Sequence, residues 1–307
     1  MLGIILGLVS AVAFGANTII TRRGMFRVSS NYVATITVFS GPIFFLIIAS
    51  ISGDIFRLRQ IPWLAYLFLA LSGVSHFALG RTWGYRSIQL IGSTRSNLVT
   101  SLHPIVTIIL AMIILKETVT FIMVIGILCT LTGPLLIFLK EQMIESDSQF
   151  NKNLHGKNFD KPTLYKGMLY GIGAAIFWGS SAIFIKLGLE HGGLPIAGTL
   201  IAYLTASIAI TPSALFNKEH REELLNGDKL SFKMALFSGL TVNLGQFLRY
   251  IALGFGSAIV VSMMLRTIPL WVLFFAFIFI RKYESFSRWV LLGNALVMIG
   301  AVLVLLS

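Results

Sequence analysis

"LGLVSAVAFGANTIITRRGM" (residues 6–25) and "YGIGAAIFWGSSAIFIKLGL" (residues 170–189) align without a gap at a constant offset of 164 residues. A second pair, "HPIVTIILAMIILKE" (103–117) and "IPLWVLFFAFIFIRKYE" (268–284), places Pro104 over Pro269. Glycines, prolines and a glutamate that recur in the same order are unlikely to match by chance. The sequence therefore predicts that the chain consists of two related internal repeats.

The composition indicates an integral membrane protein. Of the 307 residues, 56% are apolar and 12% are charged, and the mean hydropathy is +0.86. A helix needs roughly 20 apolar residues to cross about 30 Å of hydrocarbon. Ten apolar runs approach or exceed that length, at 2–20, 33–51, 61–80, 92–115, 119–139, 166–188, 195–215, 232–253, 257–280 and 286–306.

Five runs fall in each copy, and a polar stretch separates the copies. We therefore expect a first five-helix repeat over 1–140, a polar linker over 141–165 and a second repeat over 166–307. Because five is odd, the second repeat must enter the membrane from the opposite face. The predicted fold class is an all-α membrane protein of ten transmembrane helices in two inverted-topology repeats, an arrangement typical of secondary transporters.

Short segments in both copies resemble the drug/metabolite transporter superfamily, in particular its ten-helix EamA-type members. They are "FGANTII" (14–20), "FWGSSAIF" (177–184), "KETVT" (116–120) and "YESFS" (283–287). The resemblance implies two five-helix bundles around a substrate cavity, export or exchange of small metabolites, and no ATP hydrolysis. Phe14 departs from the pattern, because that family usually has a tryptophan there.

The charged residues favour an anionic cargo. Every Asp and Glu falls in a predicted loop or at a helix end, so a proton-coupled exporter of hydrophobic cations is disfavoured. Arg266 lies ten residues into a predicted span, and a charge at that depth is costly and usually faces a cavity. Arg95 is a second candidate, although it lies closer to its helix start. We expect Arg249, near the end of the eighth span, to be an interfacial anchor.

Other residues are predicted to share the substrate site because they offer hydrogen bonds or aromatic faces at similar depth. His76 is a further candidate for the cavity wall, although a packing role is the commoner one for such a residue. The predicted substrate-binding set is Arg266, Arg95, Asn17, Ser181, Trp178, His103, Asn243, Gln246, Tyr250 and Tyr85.

Small residues and prolines are predicted to control helix packing. Small residues every four positions form a stripe against which another helix backbone can pack closely. The stripes suit static packing, or a contact on which the two bundles rock. The predicted gating and packing residues are Gly7, Gly15, Gly171, Gly179, Pro104 and Pro269.

The sequence therefore favours a secondary transporter for a small anionic or zwitterionic metabolite, such as an organic acid, amino acid or phosphorylated compound. The alternatives are a flippase for a phosphorylated lipid carrier and a non-transporting scaffold or membrane enzyme. We expect no catalytic residue, metal or other cofactor, and no nucleic-acid partner. The expected partners are the solute and the bilayer, and a homodimer with a second copy is an option that the sequence leaves open.

Lys and Arg concentrate in the odd-numbered connections between spans. The positive-inside rule then predicts a cell-membrane protein whose termini lie outside the cytoplasm, whereas the family resemblance implies cytoplasmic termini.

Overall fold

The computed structural model describes residues 1–24, 29–84, 86–87, 90, 99–100, 102–147, 161–279 and 288–306. These residues are almost entirely helical, and no strand occurs among them.

In the first half, most helices coincide with the predicted apolar runs. In the third run the α-helix Trp63–Gly73 continues as the π-helix Val74–Gly80, and in the fourth run the α-helix His103–Leu110 continues as the π-helix Ala111–Leu115. The α-helices are α1 (Leu2–Gly24), α2 (Ser30–Ser52), α3 (Asp54–Arg57), α4 (Trp63–Gly73), α5 (His103–Leu110) and α6 (Phe121–Asp147).

The second half repeats this order. Its ninth run is divided by a 3₁₀ turn, Leu265–Thr267, and a short polar helix lies before the eighth run. The α-helices are α7 (Lys161–Glu190), α8 (Pro195–Phe216), α9 (Lys218–Asn226), α10 (Lys229–Phe255), α11 (Ala258–Met264), α12 (Ile268–Phe279) and α13 (Arg288–Leu305).

Helices α6 and α7 extend into the predicted polar linker, over 141–147 and 161–165. These segments carry Lys, Glu and Gln, which are good helix formers even where no membrane surrounds them. A polar composition therefore marks where an apolar run ends but not where its helix ends.

Five helical stretches are long and apolar enough to cross a membrane by length and composition: Leu2–Ile20, Asn31–Ser52, Trp63–Gly84, Tyr165–Glu190 and Pro195–Phe216. Further apolar helices of the described chain are shorter. Large apolar side chains on the outer faces are exposed, including Ile43 and Ile208. Such a surface suits lipid rather than water.

The helix contacts follow the symmetry predicted for inverted repeats. Helix α1 packs on α10 and α12, and its counterpart α7 packs on α4 and α5. The pairs α2 with α8 and α6 with α13 each join a helix to its own repeat partner. Exchanging the two halves leaves this set of contacts unchanged, as a two-fold axis between the repeats requires.

Glycines allow the backbones of α6 and α13 to approach closely. A Cβ atom added to Gly126 would lie 2.7 Å from the carbonyl oxygen of Gly300, and one added to Gly133 would lie 2.4 Å from that of Gly293. Both separations are shorter than a van der Waals contact. The glycines that recur in the two copies therefore face each other across this helix pair.

The two halves also contact each other on the side of the membrane where α1 begins. A Cβ on Gly3 would lie 2.9 Å from the Cα of Gly256. The Glu117 carboxylate accepts hydrogen bonds from the backbone N–H groups of Ala258 and Ile259, at 2.6 and 3.0 Å. Glu117 therefore joins the first half to the start of α11, and we call this side the terminal side.

Candidate functional site

A cavity of about 250 Å³ lies between the two halves of the protein. The first half contributes side chains from α1, α5 and the π-helix 74–80, and the second half contributes them from α7, α10, α11 and the residues around the 3₁₀ turn. Several polar residues lie where the α-helices are interrupted: His76 is in the π-helix, His103 begins α5, and Arg266 is in the 3₁₀ turn. Irregular backbone at membrane depth is typical of segments that line a cavity.

Arg266, a predicted substrate-binding residue, lines this cavity and donates to a neutral histidine. Its Nη2 lies 2.6 Å from Nε2 and 3.0 Å from Nδ1 of His103. The Nδ1 atom is also 3.0 Å from the carbonyl oxygen of Thr100, so it carries the ring proton and donates there. This leaves Nε2 as the acceptor for Arg266, and no negative charge takes part in the contact.

Arg249 lines the same cavity, so its prediction as an interfacial anchor is wrong. Its side chain is only 5% exposed, and Nη2 donates to the Ser181 hydroxyl at 3.0 Å. Nη1 donates to the Gln246 side-chain oxygen at 3.3 Å. The physical reason is that α10 continues to Phe255, about 9 Å of rise beyond Arg249. Arg249 therefore lies well before the end of α10, and its guanidinium faces the cavity.

Arg249 is held in a ring of hydrogen bonds with neutral side chains. The Ser181 hydroxyl donates to the Trp178 carbonyl at 2.8 Å, so it accepts from Arg249 and from Nδ1 of His76, which is 3.0 Å away. The Gln246 amide nitrogen lies 3.2 Å from Nε2 of His76 and donates to it. His76 is therefore neutral in this arrangement, and its Nδ1 proton faces the serine.

The lining has an excess of positive charge. Among the described residues that form the cavity wall, two are arginines and none is Asp or Glu. The described chain also lacks a cluster of His, Cys, Asp and Glu that fits a metal ion. The chemistry available in the cavity is thus guanidinium, imidazole, hydroxyl and amide groups against apolar side chains.

Trp178 and Asn17, two further predicted site residues, lie in the cavity wall. The indole N–H of Trp178 donates to the His76 carbonyl at 3.1 Å, and its ring lies edge-on to His103 at a centroid distance of 6.2 Å. The Asn17 side-chain oxygen accepts from Ser238 at 2.9 Å and from a threonine of α10. The indole therefore presents an aromatic surface to the cavity between the two histidines.

Asn243 and Tyr250 are not among the residues that line the cavity. Both are buried: the Asn243 amide donates to Ser40 of α2 at 3.3 Å, and the Tyr250 hydroxyl pairs with Ser72 of α4 at 2.8 Å. They join α10 to the first half of the protein. The cavity stripe of α10 instead runs through Gln246, Arg249 and Leu253, spaced by three and four residues.

The predicted site residues Arg95 and Tyr85 lie outside the described residues. Pro104 is buried in the first turn of α5, where the fixed φ of proline suits a helix and its missing N–H costs nothing. Pro269 is the second residue of α12.

The predicted glycine stripes pack on the fourth span of the opposite repeat. A Cβ on Gly7 would lie 3.1 Å from Met264 of α11, and one on Gly15 would lie 2.5 Å from Trp271 of α12. A Cβ on Gly179 would lie 2.6 Å from the His103 carbonyl oxygen of α5. A Cβ on Gly171 would lie 2.9 Å from a side-chain carbon of Val99, just before α5. Both stripes therefore border the helices that carry Arg266 and His103.

Comparison with known proteins places these features in a family. The model of the EamA-like transporter family matches residues 1–139 and again residues 165–306. The chain belongs to this family. The two matches also agree with the two-repeat membrane fold predicted from the sequence.

Similar proteins have been recorded in enteric bacteria. An uncharacterized inner membrane transporter, YhbE, of Escherichia coli strain K12 is 28% identical over 220 residues, which cover 71% of this chain. A Shigella flexneri protein with the same description matches equally well. The alignment spans only 61% of the length of these relatives. A solved crystal structure aligns with 99% of this chain and 96% of its own, with a TM-score of 0.76 and 14% identity, which supports the fold alone.

Proposed function

We propose that this EamA-like family member is a secondary transporter that exports or exchanges a small anionic or zwitterionic metabolite by alternating access between its two repeats. The main support is the cavity between the halves: the described hydrogen-bond partners of Arg249 and Arg266 there are neutral, and no Asp or Glu is among the described lining residues.

An anion gains more from this cavity than any other class of solute. Guanidinium groups bind carboxylate and phosphate through parallel charge-assisted hydrogen bonds. Two unit charges 4 Å apart attract by about 4 kcal/mol at an effective dielectric constant near 20. A cation would meet two guanidinium groups without a carboxylate from the described lining. The charge pattern therefore selects against cations and for negatively charged groups.

The size and the remaining wall limit the cargo further. A volume of about 250 Å³ corresponds to roughly eight water molecules in the liquid, which suits a small metabolite. Leu253, Val261 and Ile268 provide an apolar surface for an uncharged part of the solute. The face of Trp178 can hold the ammonium group of a zwitterion by a cation–π interaction. Organic acids and amino acids fit these conditions, and a phosphorylated metabolite fits if it is small.

The contacts between the repeats supply an alternating-access mechanism. The Gly3–Gly256 approach and the Glu117 hydrogen bonds hold the halves together on the terminal side. Separating these contacts while the two halves approach each other on the other side would move the cavity from one aqueous phase to the other. The glycine stripes that border α5, α11 and α12 permit this movement, because few side chains interlock there.

We place the transporter in the bacterial inner membrane, because the similar protein YhbE is described as an inner membrane transporter. The family and the relatives indicate a transporter, which points to a non-enzyme. The charge distribution of the connections supports termini outside the cytoplasm. Under this orientation the terminal side is the outer side.

Ligand-induced thermal stabilisation of the purified protein tests the proposal. The panel contains succinate, glutamate, glycerol 3-phosphate, leucine and tetraphenylphosphonium, tested on the native protein and on Arg266→Gln and Arg249→Gln. The matched control is Arg57→Gln, an exposed arginine outside the cavity. We expect an anion or amino acid to raise the midpoint of unfolding in the native protein and the control, but not in the two cavity variants.

Flux measurements in liposomes then separate the alternatives. Counterflow of the stabilising compound supports transport, whereas binding without counterflow indicates a scaffold. Stabilisation by tetraphenylphosphonium alone, with equal response in Arg266→Gln, contradicts the anion proposal. A lipid-linked phosphate that binds in preference to every soluble compound indicates the flippase instead.

A further inference from the structure

A second, smaller cavity lies apart from the central one, at the opposite side of the membrane from the terminal side. It measures about 170 Å³ and is formed by α2, α8, the start of α9 and the residues that follow the π-helix 74–80. The candidate spans Trp63–Gly84 and Pro195–Phe216 end beside it, and the span Asn31–Ser52 begins there. The cavity therefore lies at the level where the helices leave the hydrocarbon, which is the level of the lipid headgroups.

The charge of this cavity is positive. Arg81 and Arg86 both line it, together with the amides Asn31 and Asn217, and no Asp or Glu is among its described lining residues. Arg81 is held in place, since its Nη1 donates to the Thr37 hydroxyl at 2.9 Å and its guanidinium lies 5.4 Å from the centre of the Phe77 ring. Both of its hydrogen bonds to α2 use Nη1, so the Nη2 and Nε groups are not used by that helix.

His220 forms another part of the wall. Its Nε2 pairs with the Thr35 hydroxyl at 2.9 Å, which ties α9 to α2. Its Nδ1 is buried without a hydrogen-bond partner among the described residues. A buried polar atom that lacks a partner costs free energy, so an oxygen ligand at this wall would relieve that cost.

The two helices beside the cavity also carry apolar side chains that face outward. On α2, Ile43 is 65% exposed, and on the side of α8 turned away from the cavity-lining Ile210, Ile208 is 71% exposed and Leu215 is 56% exposed. A soluble phosphate would use only the arginines, whereas a phospholipid would use both the arginines and these apolar faces. The combination of a cationic pocket and flanking apolar surface therefore favours a lipid as the occupant.

We propose that this cavity binds the phosphodiester of an anionic phospholipid, with Arg81 and Arg86 as the cationic groups. The lipid's acyl chains lie along the exposed faces of α2 and α8. Arginine is suited to this ligand because its planar N–H groups match two phosphate oxygens at once. Under the predicted orientation the site faces the cytoplasmic leaflet, where anionic lipids attract basic residues. The site is separate from the central cavity and does not rest on the proposed transport function.

Thermal unfolding of the purified protein in detergent micelles tests this inference. Dioleoyl-phosphatidylglycerol, dioleoyl-phosphatidylcholine and inorganic phosphate are added to the native protein and to Arg81→Gln, Arg86→Gln and Arg57→Gln. Arg57 is an exposed arginine on the terminal side and serves as the matched control. We expect phosphatidylglycerol to stabilise the native protein and the control, and its half-saturating concentration to rise about tenfold in each cavity variant.

If Arg81→Gln destabilises the fold, Arg86→Gln still tests the proposal, because Arg86 is exposed. Equal stabilisation by the two lipids, or an unchanged response in Arg86→Gln, would overturn the proposal. Inorganic phosphate as effective as phosphatidylglycerol would show a site for soluble phosphate instead of lipid. The variant Arg266→Gln should respond to phosphatidylglycerol like the native protein, which separates failure here from failure of the proposed cargo site.

Discussion

Glu117 provides the strongest test of the alternating-access proposal. It follows Lys116, whose positive φ of 54° turns the chain sharply at the end of the fourth span. The turn places both carboxylate oxygens on the first free N–H groups of α11, at 2.6 and 3.0 Å. The contact joins the two repeats at the terminal side. We therefore expect Glu117→Ala to favour the state in which this side is open.

The size of the effect follows from the two hydrogen bonds. A hydrogen bond to a charged group contributes about 1.5–3 kcal/mol. Glu117 is half-buried, so water replaces part of each bond when the contact opens. A net loss of about 2 kcal/mol for the pair changes the ratio of open to closed states by roughly 30-fold.

Cysteine labelling measures that ratio. Cys129, the single native cysteine, is replaced by alanine, and a cysteine is introduced at Leu253, a 1% exposed residue of the central cavity. A membrane-impermeant maleimide is applied from the terminal side of sealed vesicles. With Glu117→Ala we expect the labelling rate to rise by up to about 30-fold, because the rate follows the population of the open state.

The matched control is Glu190→Ala, a terminal-side carboxylate whose ion pair with Lys186 stays within α7. An unchanged labelling rate in Glu117→Ala, in a protein that unfolds at the native temperature, would refute the role of this contact in closure. An equal increase in both variants would attribute the effect to general loosening of the terminal side.

Three further predictions concern packing and the choice of ligand. Gly300→Ala should lower the free energy of unfolding by about 1–3 kcal/mol, because the added Cβ would lie 2.4 Å from a carbonyl oxygen of the facing helix. The control Gly254→Ala, whose added Cβ would lie 3.5 Å from its nearest neighbour, should change this free energy by less than about 0.5 kcal/mol. Thermal unfolding measures both variants. Tyr250→Phe should lower the free energy of unfolding by about 1 kcal/mol without changing the affinity for the stabilising anion. A loss of affinity would show that Tyr250 contributes to the binding site. His103→Glu should abolish stabilisation by anions while His103→Gln retains most of it, because only the glutamate gives the neighbouring guanidinium a permanent negative partner.

Much of the fold could be predicted from the sequence because membrane helices are recognised by their long apolar runs. Where the structure describes them, the predicted runs coincide with helices, and repeated glycines face each other between α6 and α13. The helical extensions at 141–147 and 161–165 were missed because the prediction followed hydropathy, which changes at the membrane surface. Helix propensity continues beyond that surface.

The candidate site was harder to predict because depth alone does not tell which face a side chain occupies. The sequence suggested Arg266 from its depth and Gln246 from its neighbours on α10, and both residues line the central cavity. Arg249 was missed because it was counted from the end of the apolar run and not from the end of the helix. Its three-residue spacing from Gln246 was the available signal, since it puts both side chains on one stripe.

The partners of the two arginines explain how a transporter can hold fixed charge without blocking its own site. A resident carboxylate beside Arg266 or Arg249 would neutralise the charge, and a cargo anion would have to displace it from a poorly solvated position at a large cost. Histidine, serine and glutamine instead orient the guanidinium groups through hydrogen bonds to neutral atoms. An incoming anion adds its charge to an arrangement that already has the right geometry. If the cargo is the anion proposed above, its charge offsets part of the free energy needed to hold two arginines between the repeats.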